Sequence, residues 1–299
     1  MTSRASIACS LAALLVLAHA VCFAQGSAAR FDRGLLWKIE KSGRSASYLF
    51  GTLHIPDPRL LDFSPAVLGA FKSAEQVATE IAMDMSNLQK LVAAMVYTDG
   101  RTLESVAGKQ LYTELAAVLV KIGVPENLAQ HLKPWAAMTM LIVPPRGDAI
   151  PMDMALYQAA GQAGKKQAAL ESIDEQVALF EDQSIEHQLI MLRDVVANYD
   201  KVGEATQKML RSYLDRNLGA LNALAANEDL LSSKEARELN RSLMERMIER
   251  RNVVMADRME PLMERSSTFV AVGALHLPGA NGLLTLLERR GYRVTRADE

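Results

Sequence analysis

The segments SYLFGTLH (residues 47–54) and TFVAVGALH (residues 268–276) share one pattern. In each, an apolar, β-prone run ends at a glycine, and a histidine follows three residues later. Open α/β folds keep their ligand crevices at the ends of buried strands, where such a histidine would lie. The repeat therefore predicts a pseudo-symmetric site to which each half of the chain contributes one imidazole, that of His54 and that of His276.

The residues around the first segment predict a β-hairpin followed by a parallel strand–helix–strand unit. Residues 35–40 and 46–51 form the expected hairpin. Ser64, followed by a proline, has the order of N-cap and first helical residue. Residues 76–81 are expected to form a short buried strand that ends near Glu80. The alternation of strand, helix and strand is typical of a parallel α/β unit.

The middle of the chain is predicted to be almost entirely helical. Helical spacing of apolar residues extends over 86–97, 109–122, 125–131, 134–141, 152–162, 183–218 and 233–263. A loop is expected at 144–148, and a strand at 167–170 is followed by Glu171. The second histidine segment, a helix at 279–290 and a strand at 292–295 complete the chain. The predicted fold class is α/β (α+β): a central mixed sheet built from the N- and C-terminal segments, with a large helical insertion over about 86–263.

The N-terminus has the features of a secretory signal peptide. Arg4 precedes an apolar run over residues 5–20, and small residues up to Ala24 offer a cleavage site before Gln25. A retained N-terminal anchor is the alternative, although the run is short for a membrane span. We expect a single mature domain over residues 25–299, periplasmic or secreted.

The composition of the expected mature chain limits which partners it can bind and which ligand atoms a metal site can use. The 299-residue sequence is 49% hydrophobic with a net charge of -2, which gives no reason to expect a nucleic acid or an anionic membrane as partner. Charges interrupt every later apolar run, so no stable membrane insertion is expected after signal cleavage. Both cysteines, Cys9 and Cys22, lie within the signal segment. Any metal site must therefore use nitrogen and oxygen ligands.

His54, His276 and Glu80 are the candidate ligands of a divalent metal ion. Neutral imidazole binds zinc, manganese, cobalt or iron, and a hydrolytic metal site commonly adds a carboxylate and an open position for water. Glu171, at the end of another predicted strand, is a further candidate carboxylate. Arg251, on the helix that precedes the second histidine segment, is a candidate for orienting a carboxylate or stabilising an oxyanion.

Other motifs with known chemistry are missing. The sequence contains no G-x-S-x-G, no H-E-x-x-H and no phosphate-binding P-loop, so serine hydrolase, zincin and nucleotide-binding readings have no support. His131 and His187 lie in predicted helices without partners at metal-ligand spacing. A metal-free site in which one histidine acts as general base is an alternative to the metal site.

Several further motifs make the chain resemble the TraB/GumN family. They cover nearly all of the expected mature chain: GTLH at 51–54, TEI at 79–81, KPW at 133–135, LE at 170–171, RNVVMA at 251–256, FVAVGALHL at 269–277, GLL at 282–284 and GYRV at 291–294. One departure is Met152-Asp153, where a Gly-Val-Asp type sequence is usual. The resemblance implies kinship with the Tiki metal-dependent proteases and, more distantly, with erythromycin esterases and the haem-binding ChaN proteins.

The resemblance also implies a site made of the two histidines, the early glutamate and the arginine of the late helix. The preferred hypothesis is an exported metal-dependent hydrolase, with a peptide or another small hydrolysable substrate. Its metal ion (manganese, cobalt or zinc) would be held by His54, Glu80 and His276. Arg251 would polarise the scissile carbonyl, and Glu171 would hydrogen-bond a ligating imidazole. The alternative is a cell-envelope protein that binds haem, a metal or a glycan without turnover.

Overall fold

Six strands form one mixed sheet in a computed structural model that describes residues 30–142, 150–227 and 231–298. The predicted signal segment with both cysteines, and the loop expected at 144–148, lie outside these ranges. The strands are β1 (Leu36–Glu40), β2 (Ser47–Thr52), β3 (Gln76–Thr79), β4 (Lys166–Ala169), β5 (Thr268–Gly273) and β6 (Arg293–Arg296). Their spatial order is β4-β3-β5-β2-β1-β6.

The sheet is assembled from both ends of the chain, which confirms the predicted fold class. β1 and β2 form the expected antiparallel hairpin, and β6 pairs antiparallel with β1. β5 inserts between β2 and β3 and is parallel to both, and β3 is parallel to β4. Every residue of β5 is buried, as expected for a central parallel strand whose two faces are both covered.

Helices account for most of the chain between the third and fifth strands. The α-helices are α1 (Pro65–Ser73), α2 (Met85–Ala94), α3 (Leu103–Ala107), α4 (Lys109–Lys121), α5 (Glu126–Ala129), α6 (Pro134–Ile142), α7 (Met152–Gln162), α8 (Ile173–Glu181), α9 (Ile185–Ala197), α10 (Tyr199–Leu214), α11 (Leu218–Ala225), α12 (Lys234–Met244), α13 (Arg251–Arg265) and α14 (Leu283–Arg289). Short 3₁₀ helices cover Pro58–Leu61 and Ala274–His276, and a π-helical turn covers Glu245–Arg250.

The apolar core has two parts. One surrounds the sheet and includes the inward residues of β1, β2 and β5 together with α7, α13 and α14. The other lies among helices α3, α4, α6 and α9, where Trp135 stacks on Phe180 with ring centroids 5.0 Å apart. In the described segments, no helix combines the length and the apolar character needed to cross a membrane.

The structure corrects the boundaries of some predicted elements. The helix expected over 279–290 begins only at Leu283, because Gly279 has a φ of 92° and the chain turns there before it can become helical. The helix ends at Arg289, one residue before the predicted end, and Gly291, with a φ of 82°, lies just beyond it as predicted. Helices α3, α8 and α11 and the π-helical turn were not predicted.

Candidate metal and catalytic site

Four adjacent parallel strands each end close to one candidate site residue. Along the sheet, Glu171 follows β4, Glu80 follows β3, His276 follows β5 and His54 follows β2. All four residues lie beyond the carboxyl ends of their strands, which is where open α/β sheets bind ligands. The sheet order, which brings β5 from the end of the chain between β2 and β3, therefore brings together residues that are more than 200 positions apart in sequence.

The two glutamates are neighbours because strand pairing continues past the ends of β3 and β4. The Leu170 amide donates to the Thr79 carbonyl at 2.9 Å, and the Glu171 amide donates to the Glu80 carbonyl at 2.7 Å. Both carboxyl groups are buried. Burial of two carboxylates side by side requires a cation or other donors between them.

Three donors hold the carboxylate of Glu80. Its Oε1 accepts from the Gly273 amide at 2.7 Å, and its Oε2 accepts from Arg251 Nη2 at 2.5 Å and from Gln176 Nε2 at 3.1 Å. Burial acts to raise the pKa of Glu80, but the charges of Arg251 and His54 and the hydrogen bond from the Gly273 amide outweigh it and hold that pKa well below its usual range. Glu80 is therefore an anion at neutral pH.

His276 is buried and its tautomer is fixed by Asn252. The Asn252 side chain donates from Nδ2 to the Asn281 carbonyl at 2.8 Å, which turns its Oδ1 towards Nδ1 of His276 at 2.7 Å. Burial lowers the pKa of His276 to about 4, so the ring is neutral at neutral pH. The proton lies on Nδ1, so Nε2 is left as an acceptor, and it lies 3.7 Å from Oε1 of Glu80.

His54 has a charged partner and a side chain that is 52% exposed. Its Nδ1 lies 2.7 Å from Oδ2 of Asp153, a buried carboxylate oxygen with which the ring forms an ion pair. The other oxygen of Asp153 accepts from the Thr52 hydroxyl at 2.8 Å. The charge of Asp153 raises the pKa of His54. Nε2 of His54 faces Oε1 of Glu80 at 3.9 Å, so both imidazoles approach the same carboxylate oxygen.

Gly273 leaves open the space on which these three side chains converge. A Cβ atom at this position would lie 3.3 Å from Oε1 of Glu80, 3.4 Å from Nε2 of His54 and 3.5 Å from Cδ2 of His276. The backbone of Gly273, with φ -52° and ψ 136°, is in a region that any residue adopts. The structure thus uses glycine here for space and not for its conformational freedom.

Arg251 makes its contacts directly after the π-helical turn. Its Nη2 donates to Glu80 and, at 2.6 Å, to Glu171, and its Nε donates to Glu171 at 3.0 Å. Its Nη1 donates to the Met247 carbonyl at 2.9 Å and lies 3.4 Å from Nε2 of His276. All five N–H groups of the guanidinium therefore have acceptors in the protein, and Arg251 neutralises two buried carboxylates.

The two imidazoles and the Glu80 carboxylate are suitable ligand types for a divalent cation, but their atoms lie slightly too far apart to share one. Two ligand atoms about 2.1 Å from a tetrahedral ion lie roughly 3.4 Å apart. Oε1 of Glu80 is 3.9 and 3.7 Å from the two Nε2 atoms, so a shared ion requires a contraction of a few tenths of an ångström. Among residues 30–142, 150–227 and 231–298, no group of three or more His, Cys, Asp or Glu side chains is already arranged to hold a metal ion.

Some contacts at the site were not predicted from the sequence. Glu171 contacts Arg251 and Gln176, whereas Asp153 and Asn252 face the imidazole Nδ1 atoms, the role expected for Glu171. The signal for Asn252 was its place beside Arg251 in the RNVVMA motif. Nothing in the sequence marked Gln176 as a site residue, because its helix α8 was not predicted.

Comparisons with known proteins show the family of the chain. The model of the TraB/PrgY/gumN family matches residues 35–296. Metalloprotease TIKI2 of Danio rerio and metalloprotease TIKI1 of Xenopus tropicalis are each 25% identical to the chain, over 87% of it and 60% of their own length. Metalloprotease TIKI1 of Homo sapiens is 24% identical over 88% of the chain and 61% of its own length. The chain thus spans about three fifths of the length of these curated relatives. No solved structure matches it.

Proposed function

We propose that this chain, which belongs to the TraB/PrgY/gumN family, is an exported metal-dependent hydrolase of peptide bonds. The observation that carries the proposal is the convergence of two imidazole Nε2 atoms and one carboxylate oxygen on the space beside Gly273. The relatives named metalloproteases support hydrolysis as the reaction class. Export rests on the signal-like residues 1–24.

His54, Glu80 and His276 would hold the cation, with manganese, cobalt and zinc as the candidates. A divalent cation at such a site lowers the pKa of a bound water and polarises a carbonyl oxygen. His276 contributes a neutral imidazole whose tautomer Asn252 already fixes, so its Nε2 lone pair needs no reorientation. Glu80 contributes negative charge that Arg251 and the Gly273 amide hold in place.

Arg251 would act in two ways in this proposal. It orients Glu80 and Glu171 in the ground state, because its Nη2 bridges them. Its Nη1–H towards His276 would lose that acceptor once the Nε2 lone pair is used for coordination. This N–H would then be free to donate to a carbonyl oxygen of the substrate, where charge develops during hydrolysis. Glu171 keeps the guanidinium in position throughout.

The substrate would enter from the side of His54. His54 is about half exposed, whereas the side chains of Glu80, Glu171 and His276 are at most 10% exposed. An exposed ligand beside buried ones gives a site with one open face, which a hydrolytic metal centre needs for water and substrate.

The test combines metal content with hydrolysis. Purified protein is stripped with a chelator, reloaded separately with manganese, cobalt or zinc, and assayed against a peptide library. We expect cleavage that chelation abolishes and one of the metals restores, together with loss of both metal and cleavage in Glu80→Gln. His131→Ala and His187→Ala are the controls, because both histidines lie outside the site. Retention of a metal or haem without cleavage of any peptide would contradict the proposal and favour a binding protein.

A further inference from the structure

A cavity of about 360 Å³ is lined in part by the residues that directly follow His54 in the chain. Its walls include Ile55 and Pro56 from the loop after β2, Ile142 at the end of α6, and Val202 and Leu210 from α10. This volume falls within the range of small-ligand pockets and exceeds that of one side chain, so the cavity has room for a side chain with part of its backbone.

The cavity is connected to the first histidine segment through its walls. Ile55 directly follows His54, the exposed histidine of the site. Helix α10, which forms the opposite wall, is fastened to the same strand end, because the Tyr213 hydroxyl donates to the Gly51 carbonyl at 2.7 Å. A peptide bound at His54 would therefore extend towards this cavity with its neighbouring residues.

The polar groups of the cavity carry excess negative charge. Among the described residues, two carboxylates line it, Asp57 and Asp200. Asp57 is neutralised by Arg59, whose Nη2 lies 2.7 Å from its Oδ2. Asp200, near the start of α10, is exposed and has no ion-pair partner within the described part of the chain. An exposed carboxylate in a pocket whose walls are partly apolar suits a side chain with an aliphatic stem and a cationic end.

We propose that this cavity binds a lysine or arginine side chain of the substrate next to the bond that is cut. The proposal rests on the hydrolase function proposed above and adds to it a preference for basic peptides. The apolar walls contact the methylene groups of the side chain, and Asp200 pairs with its ammonium or guanidinium group.

Gly203 offers a way to close the cavity without touching the site. It lines the cavity from α10, and an added Cβ would meet no atom within 4 Å. Gly203→Phe would fill the cavity with a ring, whereas Gly203→Ala leaves it open and, as an alanine inside a helix, stabilises the fold slightly. Comparison of these two variants distinguishes the effect of filling the cavity from the effect of replacing a glycine in the helix.

Asp200→Asn tests the charge, and Glu204→Gln is its matched control. Glu204 lies on the same helix, is exposed, pairs with Lys208 at 2.8 Å and does not line the cavity. Both substitutions remove one negative charge from α10. Only Asp200→Asn should change the preference for a basic peptide.

The experiment measures binding by fluorescence anisotropy, with a chelator present so that no hydrolysis occurs. The probes are two labelled pentapeptides, Ala-Ala-Xaa-Ala-Ala, in which Xaa is lysine or the uncharged norleucine. Wild type should bind the lysine peptide roughly two- to fivefold more tightly, the scale of one exposed ion pair. Asp200→Asn should abolish this preference and Gly203→Phe should weaken both peptides at least tenfold, while Glu204→Gln and Gly203→Ala match wild type.

Equal binding of the two peptides by wild type, or an unchanged preference in Asp200→Asn, would overturn the proposal. Unaltered binding by a folded Gly203→Phe would also overturn it, and thermal unfolding verifies that this variant is folded. The outcomes also separate this proposal from the proposed function. If peptides are cleaved and neither Asp200→Asn nor Gly203→Phe changes the cleavage, the basic pocket is contradicted and the hydrolase function is supported. If the peptides bind as expected but no metal gives cleavage, the hydrolase function is contradicted and the pocket is supported.

Discussion

The two Gly-x-x-His segments end on neighbouring parallel strands, yet their histidines have different surroundings. His276 is buried, neutral and hydrogen-bonded to an amide oxygen of Asn252. His54 is half exposed and lies against the carboxylate of Asp153, which raises its pKa. Their Nε2 atoms nevertheless face the same oxygen of Glu80. The same short pattern therefore supplies one fixed imidazole and one accessible imidazole.

The glycines of the two segments differ as well. A Cβ at Gly51 would lie 3.1 Å from Cα of Ala274 and 3.1 Å from Cδ2 of Leu277, so this glycine permits close packing of β2 against the second segment. A Cβ at Gly273 would instead enter the space between Glu80 and the histidines. The first glycine serves the fold and the second serves the site, although the two segments are similar in sequence.

Arg251→Ala should have the largest effect, because Arg251 holds Glu80, the carboxylate that the histidines of both segments face. Its removal leaves Glu80 and Glu171, whose side chains are 10% and 5% exposed, without a cation. Breaking a buried ion pair in this way costs about 3–5 kcal/mol. We expect the unfolding temperature to fall by roughly 10 °C, measured by calorimetry or circular dichroism, with metal binding lost.

Arg258→Ala is the matched control on the same helix. Arg258 contacts Glu175 at 2.6 Å, but both side chains are more than 40% exposed. Such a pair contributes about 1 kcal/mol or less. Equal losses of stability in the two variants would contradict the special role of the buried arginine.

Replacing each histidine in turn tests the difference between the fixed and the accessible imidazole. His276→Ala and His54→Ala should both reduce metal affinity more than 100-fold, because three protein ligands become two. Their stabilities should differ. His276→Ala leaves the buried oxygen of Asn252 without its donor, at about 1–3 kcal/mol. His54→Ala should cost less, because water can reach Asp153 in place of a half-exposed ring. Chelator competition measures the metal affinity, and chemical denaturation measures the free energy of unfolding. A larger loss of stability in His54→Ala than in His276→Ala would contradict the assignment of His276 as the fixed imidazole.

Gly273→Ala and Gly51→Ala should separate site from fold. The methyl group at residue 273 would lie within 3.5 Å of three side chains that would each approach an ion to about 2.1 Å, so metal affinity should fall at least tenfold while the unfolding temperature changes little. Gly51→Ala should instead destabilise the protein by about 1–3 kcal/mol through overpacking. The comparison fails if Gly273→Ala binds metal as wild type does.

The strand ends could be predicted from the sequence because each has a local signal. Apolar runs that stop at a glycine or a glutamate mark the ends of β2, β3, β4 and β5, and helical spacing marks most helices. The position of β5 between β2 and β3 is a long-range pairing with no local signal. The insertion of one strand there is what brings His54, Glu80 and His276 together.

The partners of the site residues were harder to predict for a different reason. Asp153 and Gln176 reach the site from helices α7 and α8, whose placement depends on tertiary packing. The resemblance to a family pointed to Arg251, but on the sequence alone an arginine of a charged helix is most often solvated. Only the structure shows that all five of its N–H groups are used inside the protein.

The smallest effects should come from the groups behind the histidines, and they should be unequal. Partners of this kind typically contribute 10- to 100-fold to metal affinity by orienting the ring. Asn252→Ala should lie near the upper end, because the His276 ring is buried and bulk water does not reach it to replace the amide oxygen. The proton of His276 should also lose its preference for Nδ1, which ¹⁵N–¹H correlation spectra report. Asp153→Asn should lie near the lower end, because solvent already contacts half of the His54 ring and an amide oxygen can still accept from Nδ1. Equal losses in the two variants would show that exposure of the ring does not set the contribution of its partner, and an unchanged tautomer in Asn252→Ala would show that Asn252 does not fix the His276 ring.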